Sequence, residues 1–429
     1  MNHFRRRGGV LHAEAIPVEE LARAYGTPLY LYSTATLTRH WRVLDGSLGG
    51  LRHLVCYAVK ANSNLAVLNL FARQGAGFDI VSGGELYRVL RAGGDPRKVV
   101  YSGVGKGDDE IAFALDQRVR CLNVESGPEL GRVSAVARKL ARRAPIALRV
   151  NPDVDPRTHP YVATGLKRSK FGVSVEDARR LYALAARDPA LDVRGLAIHI
   201  GSQITSVGPF LDAIARMRAL ARDLARQGIG LRHLDIGGGL GIQYRDEEPP
   251  HPDDYGRAVK RALRGFEGEV ILEPGRVLVG NAGVLVARVL YVKKSGRRTF
   301  VVVDAAMNDL VRPSLYGAHH DIEPVGRVPR GAREVVCDVV GPVCESSDFL
   351  ARGRRLPEPA AGDLLCVRSA GAYGFAMSSN YNSRPRAAEV LVDGRSARLA
   401  RRRETLRDLV RGESGRPPAR PFPARRRIG

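Results

Sequence analysis

Short apolar runs alternate with longer amphipathic stretches between about residue 54 and residue 273. Apolar runs of this length are typical of buried strands, and stretches such as AVLNLFARQG and GELYRVLRAGG have helical spacing. Eight runs predict strands: LVCYAV, FDIV, KVVYSG, RCLNV, APIALRV, RGLAIHIG, LRHLDIGGG and EVILEP. Eight strand–helix units in about 220 residues are what a (β/α)8 barrel of the TIM type requires, so we predict an α/β barrel over residues 31–276. A doubly wound open sheet gives the same alternation and is the alternative.

The pattern changes after residue 276 to strand-type segments separated by glycine and proline. These segments are VLVARVLYVKK, RTFVVVDA, REVVCDVVG, DLLCVRSAG and RAAEVLVDG. They predict an all-β domain over residues 277–410. The strand-like piece PLYLYS predicts that residues 1–30 associate with this domain. Residues 411–429 are rich in proline and arginine and unable to bury a core, which predicts a disordered tail.

The chain is strongly basic, with a formal net charge of +23. Basic surfaces bind nucleic acid by neutralising phosphates, so this charge raises the question of a nucleic-acid partner. Only nine of the 68 basic residues are lysines, and the arginines are spread along the whole chain. No recognition module or platform of basic and aromatic residues accompanies them. We therefore interpret the charge as a compositional bias and predict no nucleic-acid partner.

Location and redox state follow from two further features of the sequence. No apolar segment long enough for a secretory leader or a membrane span is present, which predicts a cytoplasmic protein without a membrane partner. The five cysteines are scattered and form no CxxC pair, which predicts reduced thiols, no disulfide and no metal site. They are Cys56, Cys121, Cys337, Cys344 and Cys366.

Two candidate chemical groups lie at the ends of barrel runs. Lys60, in CYAVKAN, follows the first run, where an amine flanked by apolar residues can be desolvated and attack a carbonyl. The motif DIGGGLG at 235–241 follows another run, and its successive backbone N–H groups can bind a phosphate. The alternatives are a surface lysine beyond a strand end and an ordinary glycine-rich turn.

Three more polar groups follow the sixth and eighth runs. His199 ends a run in AIHIGSQ, where an imidazole can stack on a ring or transfer protons. Glu273 and Arg276, in LEPGR, place a carboxylate and a guanidinium at the same mouth of the barrel. Such a carboxylate can pair with a pyridine nitrogen, and the guanidinium can bind a carboxylate or phosphate. A hydrogen-bonded core histidine and a simple ion pair are the alternatives.

Three segments of the β-rich half place polar and reactive groups between glycines and prolines. They are MNDLVRPSLYGAHH (307–320), GPVCESSDFL (341–350) and SAGAYGFAMSSNYN (369–382). This composition is typical of loops that face a ligand. Cys344 stands beside Glu345 and close to Asp348, whereas a lone cysteine is usually a small core residue.

The order of these motifs is more specific than any one of them. YAVKAN, DIVSGGEL, KFG, HIGSQ, DIGGGLG, EPGR, RPSLY, GPVCES and GAYG follow one another along the chain. Together they closely resemble the diaminopimelate decarboxylase branch of the fold-type III pyridoxal-phosphate (PLP) enzymes, from about Pro28 to the segment RRRETLRDL. The resemblance implies PLP-dependent decarboxylation of meso-diaminopimelate to L-lysine and CO2, the last step of lysine biosynthesis. It also implies a homodimer in which the neighbouring subunit completes each active site.

The resemblance further implies which residues hold the cofactor and the substrate. Lys60 would hold PLP through its amine, His199 would stack on the ring, and Glu273 would pair with the pyridine nitrogen. The other cofactor-binding positions, several of them at the phosphate, would be Asp79, Ser202, Gly238, Gly239, Pro274, Gly275, Arg276 and Tyr373. The substrate-binding positions would be Arg276, Arg312 and Tyr316 at the distal carboxylate, Glu345 at the distal amine, and Tyr373. Besides Lys60 and His199, the catalytic residues would include Cys344 of the neighbouring subunit, which protonates the carbon that loses CO2.

Two alternative functions have different requirements. A related decarboxylase for ornithine, arginine, lysine or carboxynorspermidine needs an acid and no arginine at the distal end of its pocket, whereas RPSLY supplies an arginine and a tyrosine. A PLP-binding homeostasis protein, which is not an enzyme, consists of the bare barrel. It lacks the β domain and the cysteine loop that are present in this chain.

Overall fold

A computed structural model describes residues 2–155, 165 and 170–415 of the 429-residue chain. Most of the segment interpreted as a disordered tail, from residue 416 onward, lies outside the described residues. The N-terminal elements are β1 (Phe4–Arg7), β2 (Val10–Ala13), β3 (Ile16–Pro17), α1 (Val18–Tyr25), β4 (Leu29–Ser33) and α2 (Thr34–Ser47).

The elements that follow alternate between strand and helix. They are β5 (His53–Ala58), α3 (Leu65–Arg73), β6 (Gly77–Ile80), α4 (Gly83–Arg91), β7 (Val99–Tyr101), α5 (Asp108–Asp116), β8 (Cys121–Val124), α6 (Gly127–Lys139), β9 (Ala144–Arg149), α7 (Val175–Arg187), β10 (Leu191–Ala197), α8 (Gly208–Arg226), β11 (His233–Asp235), α9 (Pro252–Ala262) and β12 (Glu269–Leu272). All eight predicted strands are present.

These eight strands form a closed parallel barrel in the order β10-β11-β12-β5-β6-β7-β8-β9. Closure is made by β5 and β12, where Leu54 is paired with Ile271. The barrel prediction is therefore confirmed over the open sheet. The strands are mostly apolar because helices cover the outside and side chains such as Cys56, Val100 and Ala197 fill the inside.

Serine caps start several of the barrel helices directly after a strand. The Ser82 hydroxyl accepts a hydrogen bond from the Glu85 backbone at 3.2 Å and starts α4. Ser126 caps α6 in the same way. Because each cap satisfies an otherwise unpaired N–H group at the strand-to-helix turn, it fixes the point where the chain leaves the mouth of the barrel.

The remaining elements belong mostly to the β domain. They are α10 (Arg276–Val279), β13 (Gly283–Ser295), β14 (Arg298–Val303), α11 (Arg312–Tyr316), β15 (Ile322–Pro324), β16 (Glu334–Val340), β17 (Phe349–Pro357), β18 (Leu364–Val367), β19 (Ala388–Asp393), β20 (Ser396–Arg401) and α12 (Leu406–Leu409). Among the helices of the described ranges, none is long and apolar enough to cross a membrane.

One nine-stranded sheet dominates this domain, with the path β17-β16-β14-β13-β4-β19-β20 and with β15 and β18 beside it. Strand β4 pairs with β13 and with β19, which confirms that the N-terminal PLYLYS piece pairs into the β domain. Strands β17 and β20 were not predicted. Their sequences, FLARGRRLP and SARLAR, contain arginines at positions that break a hydrophobic alternation, and the two strands lie at opposite ends of the sheet path.

Candidate active site

The carboxyl ends of the barrel strands bring together polar side chains from distant parts of the chain. Lys60 follows β5, Asp79 lies in β6, Asp235 ends β11, and His199 and Glu273 follow β10 and β12. Parallel strands of a barrel end at the same mouth, which is where barrel enzymes place their chemistry. The motifs singled out in the sequence therefore belong to one site.

Lys60 is held by a buried carboxylate. Its Nζ donates a short hydrogen bond to Oδ2 of Asp79, whose side chain is fully buried. Burial by itself lowers the pKa of Lys60, but the charges of Asp79 and Glu273 raise it well above its usual value. The Lys60 side chain remains 35% exposed. This lysine is thus an ammonium ion fixed at the mouth and reachable from it, rather than an unattached surface side chain.

Glu273 and Asp235 form a pair of buried carboxyl groups. Burial, reinforced by the charges of Asp235 and Asp79, raises the pKa of Glu273 well above its usual value. Burial likewise raises the pKa of Asp235 to about 7, although it also accepts a hydrogen bond from the Gly237 backbone at 3.0 Å. Two like charges in contact in the protein interior cannot both ionise at low cost. The pair therefore retains a proton near neutral pH.

The glycines of DIGGGLG pack against the ends of β10 and β12. A Cβ atom at Gly238 would lie 2.0 Å from the Glu273 carbonyl oxygen, and one at Gly239, which has φ +115°, would lie 2.3 Å from the Gly201 carbonyl oxygen. Only glycine fits at these two positions. The Gly238 N–H donates to Nδ1 of His199 at 3.2 Å. Because Nδ1 accepts, the neutral ring carries its hydrogen on Nε2, and burial lowers the pKa of His199 well below its usual value.

Two arginines from different domains meet at this mouth. Arg276 donates to the Ser202 hydroxyl at 2.9 Å and to the Tyr244 hydroxyl at 2.7 Å. Arg312 donates to Nε2 of His320 at 2.8 Å. The two guanidinium carbons lie 5.7 and 4.6 Å from the centre of the Tyr244 ring, in cation–π range.

Both guanidinium groups are buried, and within the described ranges the hydrogen-bond partners found for them are neutral. Arg276 is 7% exposed and Arg312 is 5% exposed. The Nε atom of each has no hydrogen-bond partner in the described part of the chain. A buried cation without a counter-charge is costly, and a guanidinium fork matches a carboxylate or a phosphate. The chemistry of the pair is therefore suited to anionic groups.

Tyr373 connects the β domain to the turn that carries Lys60. Its backbone N–H donates to the Ala61 carbonyl at 2.8 Å, and its ring lies 4.9 Å from the Arg276 guanidinium carbon. The Pro274 carbonyl accepts a hydrogen bond from Ala58 at 3.0 Å. Gly275 is so close to this turn that a Cβ atom would lie 3.1 Å from that of Ala61.

The half-buried Tyr316 also belongs to this cluster. Its phenol is close enough to act on both arginines: together with Tyr244 and Tyr373 it raises the pKa of Arg276 against the lowering effect of burial. The predicted distal-carboxylate residues thus lie together at one end of the site.

Cys344 and Glu345 occupy a different place, on the loop between β16 and β17. Cys344 is exposed, and its backbone N–H donates to the Asn382 side chain at 2.8 Å. Glu345 accepts a short hydrogen bond from the Tyr381 hydroxyl. In the described part of this chain, the hydrogen bonds of these two residues stay within the β domain. Their roles at the site of a neighbouring subunit remain predictions.

Three residues of the site were not singled out from the sequence. Asp235 is the first residue of the DIGGGLG motif, and His320 is the last residue of the segment MNDLVRPSLYGAHH. Tyr244 lies in the loop after that motif and was not considered. Asp235 and His320 were predictable, because polar residues directly beside a ligand-facing motif are candidates for hydrogen bonds that orient the ligand-binding residues. Nothing in the sequence indicated that Tyr244 lies between two arginines.

Comparisons with known proteins agree with this geometry. Residues 34–280 match the model of the pyridoxal binding domain of pyridoxal-dependent decarboxylases. A diaminopimelate decarboxylase from Pseudomonas aeruginosa is 55% identical over 414 residues, which are 96% of this chain and 99% of that protein. One from Vibrio cholerae is 55% identical over 416 residues, again 96% and 99%. The crystal structure of a diaminopimelate decarboxylase from Helicobacter pylori complexed with L-lysine has a TM-score of 0.89 and 42% identity, covering 92% of this chain and 98% of that one.

Proposed function

Because this chain belongs to the pyridoxal-dependent decarboxylases, and within them to the diaminopimelate decarboxylases, we propose that it converts meso-diaminopimelate to L-lysine and CO2. The enzyme is a carboxy-lyase and its cofactor is pyridoxal phosphate. The polar residues at the mouth of the barrel would bind this cofactor and substrate.

The residues at the mouth fit pyridoxal phosphate. Asp79 Oδ1 and Arg276 Nε are buried and lack a hydrogen-bond partner among the described residues, so each of these atoms can form a hydrogen bond with a ligand. Lys60 would hold the cofactor through its amine. Ser202 and the backbone of Gly238 and Gly239 would hold its phosphate, together with the backbone of the EPGR segment that ends at Arg276. The chemistry supplied by the cofactor when bound is an electron sink for the pair of electrons that CO2 leaves behind.

The protein's own groups supply proton control and orientation. The buried Asp235–Glu273 pair retains a proton that it could give to a ring nitrogen, and the carboxylate left at Glu273 would then keep that nitrogen protonated. Asp79 fixes the position of the Lys60 amine. His199 is neutral and fixed by Gly238, so it can lie against an aromatic ring without adding a charge there.

One observation favours a substrate with a second carboxylate. Arg276 and Arg312 are buried side by side, and the partners found for them in the described chain are hydroxyl and imidazole groups. The amine at the far end of ornithine or lysine would be repelled by these charges, whereas the distal carboxylate of meso-diaminopimelate would pair with them. This distinction supports meso-diaminopimelate over the substrates of the related decarboxylases.

A comparison of substrates tests the proposal. The purified enzyme, saturated with pyridoxal phosphate, is given meso-diaminopimelate, ornithine, arginine or carboxynorspermidine, and kcat/KM is measured from CO2 release. We expect meso-diaminopimelate to exceed the others by about a thousandfold or more, since a site built to pair a polar group rejects analogues that lack it. A higher kcat/KM for ornithine would overturn the substrate assignment.

We also propose that the active enzyme is a homodimer in which Cys344 and Glu345 serve the neighbouring subunit's barrel. Support comes from the loop between β16 and β17, where both residues are exposed. There the thiol would return a proton to the carbon that loses CO2, and the carboxylate would bind the distal amine. Mixing inactive Lys60→Ala and Cys344→Ala proteins tests this arrangement, because a mixed dimer contains one intact site. Recovery of about a quarter of wild-type activity is expected for random exchange, and no recovery would contradict a shared site.

A cytoplasmic location is part of the same proposal. All five cysteines are free thiols, four of them buried. Reduced cysteines are usual in the cytosol, where thiol buffers keep them so.

A further inference from the structure

His320 stands directly behind Arg312 and makes two hydrogen bonds of different kinds. Its Nδ1 lies 2.8 Å from the Arg368 carbonyl oxygen, which can only accept, so Nδ1 carries the hydrogen. Its Nε2 lies 2.8 Å from Nη1 of Arg312, which can only donate, so Nε2 carries a lone pair. Both contacts are satisfied by one neutral tautomer of the imidazole.

The surroundings hold this histidine in a single orientation. The side chain is fully buried, and its ring meets the Tyr244 ring edge to face, with centroids 5.4 Å apart and an interplanar angle of 78°. The Arg312 guanidinium lies 4.6 Å from the centre of the same Tyr244 ring. Arg312 is therefore fixed from two sides, by the imidazole along its plane and by the phenol ring beneath it.

The neutrality of this partner has a consequence for the guanidinium. Burial and the positive charge of Arg312 lower the pKa of His320 to about 3, so the ring stays uncharged throughout the physiological range. A carboxylate in the same place would fix the arginine equally well but would neutralise it. An imidazole acceptor orients the arginine and leaves its charge available.

We propose that His320 is a positioning residue that determines specificity: it aims Arg312 at the distal carboxylate of the substrate without compensating its charge. The inference rests on the proposed function, in which Arg312 binds that carboxylate.

Three variants of the cofactor-loaded enzyme separate the two parts of this inference. His320→Leu removes the acceptor, His320→Gln retains a neutral acceptor, and His320→Glu retains an acceptor but adds a negative charge. The probes are L-lysine and 1,5-diaminopentane. L-lysine, the proposed product, retains the distal carboxylate of meso-diaminopimelate, whereas 1,5-diaminopentane has no carboxylate. Inhibition constants are measured for both, with the absorbance band of the bound cofactor as a check on the barrel site.

We expect His320→Leu and His320→Glu to weaken inhibition by L-lysine about 10- to 100-fold, the range for losing a charge-assisted contact. Inhibition by 1,5-diaminopentane should change by less than about threefold in both, or become stronger in His320→Glu. His320→Gln should recover most of the affinity for L-lysine. KM for meso-diaminopimelate should rise more than kcat falls, and the cofactor band should be unchanged.

Two results would overturn the inference. Equal weakening of both inhibitors would show a general structural role for His320, and so would a His320→Gln protein that behaves like His320→Leu. If His320→Leu does not fold, the inhibition constants of His320→Gln and His320→Glu are compared instead, because these two variants differ mainly in charge. Equal constants for L-lysine in the two variants would contradict the inference. Arg312→Ala is the control for the proposed function. If Arg312→Ala leaves the inhibition constant of L-lysine unchanged, Arg312 does not bind the distal carboxylate. The proposed role of Arg312 in substrate binding and the proposed role of His320 are then both wrong.

Discussion

Replacing Asp235 by asparagine is expected to stabilise the protein once its cofactor has been removed. Asp235 is fully buried against Glu273, and burial raises its pKa from the usual 3.8 to about 7. Between these two pH values the unfolded chain releases a proton that the folded chain keeps, so the folded state loses stability as the pH rises. Each pH unit between 3.8 and about 7 lowers the free energy of unfolding by about 1.4 kcal/mol, so above pH 7 the total decrease is about 4 kcal/mol.

The structure can accept the new amide. The Gly237 N–H can still donate to the remaining side-chain oxygen at position 235, as it does to Oδ1 of the carboxylate. Asn123 donates from its Nδ2 to Oδ2 of Asp235 at 3.3 Å, whereas its own Oδ1 has no hydrogen-bond partner among the described residues. A turned Asn123 side chain would therefore accept from the new amide through Oδ1. An unfolding entropy of about 2.1 cal/mol/K per residue then converts the gain of about 4 kcal/mol into a rise of about 4 °C in Tm.

Thermal unfolding of the cofactor-free proteins, followed by circular dichroism at pH 5 and pH 8, measures this effect. We expect Asp235→Asn to melt about 4 °C above wild type at pH 8 and less than about half as far above it at pH 5. Asp246→Asn, which removes an exposed carboxylate paired with the exposed Arg245, is the control and should shift Tm by less than about 1 °C. A lower Tm for Asp235→Asn at pH 8, or an equal gap at both pH values, would refute the reasoning.

Three further predictions concern the active site. Lys60→Ala should lose the absorbance band of the bound cofactor because the amine that holds it is gone; an unchanged spectrum would exclude Lys60 from that role. Cys344→Ala should bind the cofactor normally, yet its kcat should fall about 100-fold or more, as expected for loss of a general acid; normal turnover would remove the thiol from the mechanism. Arg312→Ala should raise KM for meso-diaminopimelate about 10- to 100-fold, and a similar rise for ornithine would contradict a role specific to the distal carboxylate.

The fold was largely predictable because the barrel strands are mostly apolar on both faces. Each of the eight strands stands out as an apolar run, and the parallel barrel needs such runs because helices cover one side and packed side chains the other. Strands β17 and β20 lack this signal. Strand β20 follows β19 across a two-residue turn and is specified by backbone pairing with it, so it needs no apolar pattern of its own.

The site was predictable in its motifs but not in its supporting contacts. Lys60 and the glycines stand at strand ends, and their order among the other motifs, rather than their position alone, indicates chemistry. The partners of Arg312 come from tertiary packing: His320 reaches it from beyond the end of α11, and Tyr244 from a loop of the barrel. Tyr244 lies far from Arg312 in the chain, and although His320 is only eight residues away, no periodicity of the sequence indicates that the two side chains meet. The proton shared by Asp235 and Glu273 depends on burial, which becomes known only when the barrel is closed.

Product stoichiometry tests the central claim most directly. Purified enzyme with pyridoxal phosphate is incubated with meso-diaminopimelate, and CO2 and L-lysine are measured in the same sample, with Lys60→Ala as the control. We predict that the two products appear in equal amounts and that the control forms neither. Absence of L-lysine, or CO2 released without an equal amount of L-lysine, would contradict the assignment of this barrel site as a diaminopimelate decarboxylase.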